Sequence, residues 1–171
     1  MKLVRIISVI GFYITRLAAF GYLITALYVL LSVLLKLPGY EALEHNKFSI
    51  NYPFSNKHFL NGSENTASYI FEMVALIFFY GVFFLLLGNV FKTFEQKKLF
   101  TAQGVSHLKR FYILNLFICP VLFVILMILS HEDISYPILL VAHIVIGIFS
   151  LFLVAIFNQG LKLQNDHDLY I

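Results

Sequence analysis

His143, Asn115 and Glu72 offer the most chemistry in this chain, because each stands in or at the margin of a long apolar run, where a polar group is costly unless something answers it. An imidazole at 143 changes charge near neutral pH and would suit a proton-linked switch. The plainer alternative is a neutral ring hydrogen-bonded inside a helical bundle. Asn115 lies four residues before Cys119, on the same helical face, and is expected to bond to a neighbouring helix. Cys119 is the only cysteine, so neither an internal disulfide nor a multi-thiolate metal site is available. As a nucleophile it would need an adjacent base, and it reads instead as a packed thiol. His143 has no ligand partner at its depth, while His131, Glu132 and Asp133 form a surface cluster in a loop; no metal is expected. No catalytic constellation emerges, so the chain reads as non-enzymatic and without a cofactor.

These side chains must be positioned by four apolar stretches, 18–35, 73–91, 111–129 and 137–157. Each supplies roughly the 20 residues that a helix needs to cross a hydrocarbon core. Of the 171 residues, 60% are hydrophobic and 12% charged, with a mean hydropathy of +0.87. A water-soluble domain carries about a quarter charged residues, so the expected fold is an all-α, integral membrane four-helix bundle in one domain. Residues 3–15 extend the first helix, with Arg16 reaching toward headgroups. A cleavable signal peptide fits less well, since Arg16 interrupts the run and no small-x-small site follows. Gly81 and Gly88 fall on nearly one face and allow close helix approach, and Pro120 is expected to kink the third span.

Nine of the twelve basic residues fall on one side of these spans: Lys2, Arg5, Arg16, Lys92, Lys97, Lys98, Lys109, Arg110 and Lys162. Cytoplasmic segments collect Lys and Arg, so both termini are expected inside a bacterial cytoplasmic membrane. The outer loop, 36–68, contains Lys47 to Tyr52, whose alternation fits a short strand; the remainder, with Asn61 in a turn, reads as turn-rich surface. Its aromatic residues Tyr40, Phe48, Tyr52, Phe54 and Phe59 are expected at the headgroup boundary or, alternatively, over a ligand.

The inner loop, 92–110, places Lys97 and Lys98 before Leu99 and Phe100, a pattern suited to an interfacial elbow with Phe100 among acyl chains and the lysines on headgroups, or to a docking surface for a cytoplasmic partner. Thr101 is a candidate cap for a helix that runs through Lys109 and Arg110 into the third span. In the tail, 158–171, Gly160 is expected to end the fourth helix, and Asp166 and Asp168 to pair with the basic inner loop. The net charge of +3 is too small and too scattered for nucleic-acid binding.

In the stretch Leu99-Phe100-Thr101, the capped run from Ala102 to Lys109 and the ending from Gly160 to Leu169, the chain resembles the domain-of-unknown-function family 2975, small bacterial membrane proteins of four spans. The tail departs from that family, whose members look like Glu-Asn-Asp-Leu-Thr-Ile there. The family carries no activity to transfer. Its members are often encoded beside a small helix-turn-helix regulator, so the resemblance implies a membrane partner that binds or restrains such a protein. The competing expectation is a small homo-oligomeric transporter or pore that uses Asn115, His143 and Glu72. Its signature would be a polar cavity touching two of them.

Overall fold

The computed structural model describes residues 2–96, 98–129 and 135–168, except for the side chains of Ser135, His167 and Asp168. Lys97 and the His131-Glu132-Asp133 cluster therefore lie outside the described residues, as does the side chain of Asp168.

Helix α1 (Lys2–Leu34) is uninterrupted because its aliphatic run contains no proline. It ends where Lys36 turns left-handed, at φ 47°. The Leu37 amide then reaches back to the Ser32 carbonyl at 3.1 Å, closing the last turn in a Schellman arrangement. Three short strands follow, β1 (Tyr40–Leu43), β2 (Lys47–Asn51) and β3 (His58–Gly62), antiparallel in the order β1-β2-β3. His45 and Asn46, at φ 57° and 58°, make the first hairpin turn. Tyr40 opposes Ile50 and Phe48 opposes Gly62; a side chain at Gly62 would collide with the Phe48 ring.

The chain is thus mainly but not wholly helical. Only β2 had the alternation of a strand; β1 and β3 are recruited by pairing with it, and Asn61 lies in β3 rather than in a turn. Phe48 and Ile50 are fully buried beneath the sheet against Val29 of α1. That corrects the expectation that Phe48 sits among headgroups. Phe54 is fully exposed, and Tyr52 packs edge-on against Phe59 at 4.8 Å.

Thr66 caps α2 (Ala67–Glu95), its hydroxyl accepting from the Tyr69 amide. Helix α3 (Ala102–Ile113) continues through a π turn (Leu114–Ile118) into α4 (Cys119–Leu129). Pro120 lacks the amide that would bond one turn back, and the Cys119 amide reaches the Leu114 carbonyl instead. The turn changes the phase of the buried face: Gly104, Leu108, Phe111 and Asn115 lead to Cys119, Phe123 and Leu126. Helix α5 (Ser135–Asp168) runs straight through Gly160, which is therefore not its cap. What Gly160 permits is contact, since a methyl there would lie 2.5 Å from the Phe100 ring.

Among the described residues, four helical segments are long and apolar enough to cross a membrane. Helices α2, α3–α4 and α5 enclose a core of Phe79, Leu114, Cys119, Phe123, Leu126 and Tyr136. Helix α1 lies along α2, with glycines admitting close contact where Gly11 meets Phe91, Gly81 meets Leu23 and Gly88 meets Thr15. The start of α1, the α2–α3 elbow and the last turns of α5 share one end of the molecule, the terminal end. The sheet occupies the other.

Candidate functional site

The π turn carries Asn115 into the interior, where it is fully buried. Its Nδ2 donates to the Phe111 carbonyl at 2.8 Å, and its Oδ1 accepts from Nδ1 of His143 on α5 at 2.7 Å. An amide oxygen only accepts, so the imidazole must carry a hydrogen on Nδ1. Four rings surround His143, with centroids 5.3 Å away for Phe79, 6.0 Å for Tyr80, 5.2 Å for Phe83 and 5.8 Å for Phe123. The pair joins α3–α4 to α5 while α2 supplies most of the enclosing wall. Chemically, the arrangement pairs polar groups that lipid would penalise and hides them behind aromatic surface.

Glu72 does not join this pair. It is buried at the sheet end of α2 and accepts a hydrogen bond from the Tyr136 hydroxyl at the start of α5. The Tyr136 ring contacts Phe123 at 5.9 Å, so the two polar centres share one aromatic neighbour. Cavities of 480, 340, 310 and 580 Å³ lie along α1, the outer loop and the sheet half of α2, and none of these four is lined by Asn115, His143 or Glu72. The largest two differ in kind. The 480 Å³ cavity opens under residues 52–56 beside Gly39 and Asn51, whereas the 580 Å³ cavity is an apolar groove between α1 and α2.

At the terminal end, Thr101 caps α3 as its sequence position requires, accepting from the Gly104 amide at 3.0 Å. Its own hydroxyl donates to Gln96 Oε1 at 3.2 Å. Phe100 does not point to lipid: it packs on Phe157 of α5 at 5.3 Å and against Gly160. Phe94 meets the same Phe157 at 5.5 Å. Lys98, Lys109 and Arg110 are exposed, and so is Asp166 on the last turns of α5.

Sequence reasoning overlooked a second polar cluster on this end. Arg16 Nη2 donates to Asn89 Oδ1 at 2.6 Å, Thr93 Oγ1 donates to the Asn89 carbonyl at 3.0 Å, and His107 Nδ1 lies 3.3 Å from Thr93 Oγ1. The signal was present, for Asn89 is the one amide side chain inside the apolar stretch 73–91. No protein-family model, curated protein or solved structure matches the chain.

Proposed function

We propose that the chain is a multi-pass protein of the bacterial cytoplasmic membrane, with both termini in the cytoplasm. In this reading it acts without catalysis, binding or restraining a cytoplasmic protein. The observation that carries the proposal is the braced terminal end. Thr101, Phe100, Phe157 and Gly160 hold the α2–α3 elbow against α5, so the exposed Lys98 and Lys109 are carried on a braced backbone at the end where α5 also exposes Asp166. A preorganised charged face binds a partner with little ordering cost. The resemblance to family 2975 adds the kind of partner, a small helix-turn-helix regulator.

The test is co-purification from membranes with the product of the neighbouring regulator gene. The parent chain is expected to retain it, and Lys98→Glu with Lys109→Glu to lose it at unchanged membrane yield. Recovery of no regulator, together with unchanged transcription after deletion of this gene, would overturn the proposal. The pore reading draws less support, because Asn115, His143 and Glu72 are bonded within the protein and walled by rings.

A further inference from the structure

The cations of the second polar cluster converge. The Arg16 guanidinium lies 5.1 Å from the centre of the Phe12 ring, and the Lys92 ammonium lies 6.0 Å from the same centre. The two charges, on different helices, thus share one aromatic ring. His107 approaches Thr93, the residue after Lys92. Arg110 follows His107 by three residues on α3, hence on a neighbouring face, and the charged groups that act on His107 are Lys92, Arg110 and Arg16, all cationic. Lys92 and Arg110 are exposed; Arg16 and His107 are half-buried.

Their depth is common to all three helices. Arg16 precedes the apolar stretch 18–35, Lys92 follows 73–91 and Arg110 precedes 111–129. Three cations therefore lie within about a turn of the boundary between hydrocarbon and headgroup. Like charges held this close repel unless an anion is placed among them. Arg16 is also fixed in position by Asn89 and by Phe12, so its geometry is set before any ligand arrives.

We propose that Arg16, Lys92, His107 and Arg110 form a binding site for the phosphate of an anionic phospholipid in the leaflet at the terminal end. A guanidinium suits the phosphate oxygens bidentately, and an ammonium beside it adds a point charge. The site rests on the membrane reading and is independent of any cytoplasmic partner.

The full-length chain is placed in nanodiscs of phosphatidylcholine containing phosphatidylglycerol, then released and examined by native mass spectrometry for retained lipid. Incorporation into the discs checks the membrane reading separately. The parent is expected to retain one phosphatidylglycerol in preference to phosphatidylcholine, and the exposed pair Lys92→Gln with Arg110→Gln to lower that preference about tenfold. Arg16→Gln is expected to act alike, whereas Arg5→Gln, away from the cluster, leaves retention unchanged. Equal retention of the two lipids, or a Lys92/Arg110 double variant that behaves as the parent, would overturn the site. Inorganic phosphate forms the other arm. Displacement of phosphatidylglycerol by millimolar phosphate would assign the site to a free anion and overturn the lipid.

Discussion

Asn115 and His143 hold each other's polar atoms in a place where water cannot. Replacing Asn115 with Leu removes the Oδ1 acceptor and strands the imidazole Nδ1–H, while His143→Phe strands the amide oxygen. Each is expected to lower stability by about 1 kcal/mol, the usual scale for side-chain hydrogen bonds inside a bilayer. The double variant Asn115→Leu/His143→Phe is expected to cost less than the sum, since it leaves neither partner unpaired. Thermal unfolding in detergent reads this cycle, and strict additivity would show that the pair contributes nothing. That Asn115 would bond across to another helix was legible, because lipid leaves a buried amide few alternatives. Its partner was not, because helical periodicity does not say which helix faces which. Glu72 was visible as a marginal carboxylate, but its bond to Tyr136 spans a sequence separation that no local pattern bridges.

Elements show the same division. The apolar runs and the Thr101 cap located α2 through α5 well, because a long apolar run and an unsatisfied helix start are both local signals. The end of α5 was misplaced: Gly160 has the composition of a stop signal, yet its absent side chain is used to admit Phe100. Gly160→Leu is therefore expected to unseat Phe100 from Phe157 and to destabilise the joint by about 1–3 kcal/mol, with faster amide exchange in the first turn of α3 as its local mark. Thr101→Ala removes the acceptor for the Gly104 amide and should cost about 1 kcal/mol, raising exchange in that turn while the far end of α5 stays protected. The sheet was half legible. β2 carries its own alternation, whereas β1 and β3 are strands only because β2 lies between them.

For the molecule as a whole, two of the helices are longer than a bilayer crossing needs. At 33 residues and a rise of about 1.5 Å per residue, α1 is about 50 Å long against a core of about 30 Å; α5, at 34 residues, is similar. In the proposed membrane setting both would project beyond the lipid, and the exposed Lys109 and Ser55 lie toward opposite ends of the molecule. Cys119 is buried, so an introduced thiol can be labelled against little background. The proposed orientation, with both termini in the cytoplasm, predicts that Ser55→Cys reacts with an impermeant maleimide in intact cells and that Lys109→Cys reacts only after permeabilisation. The reverse pattern would overturn the proposed orientation.

The turn from Leu114 to Ile118 also leaves a mark that could be sought in other chains. It accommodates one more residue than an ordinary turn would, and the side chains beyond it are rotated accordingly, so that Phe123 and Leu126 meet the interior. A related chain that kept this bundle with regular helix throughout would be expected to be one residue shorter between the counterparts of Leu108 and Phe123. Deleting Phe117, which is exposed, imitates that shortening and is tolerated only if the far half of the span keeps its facing.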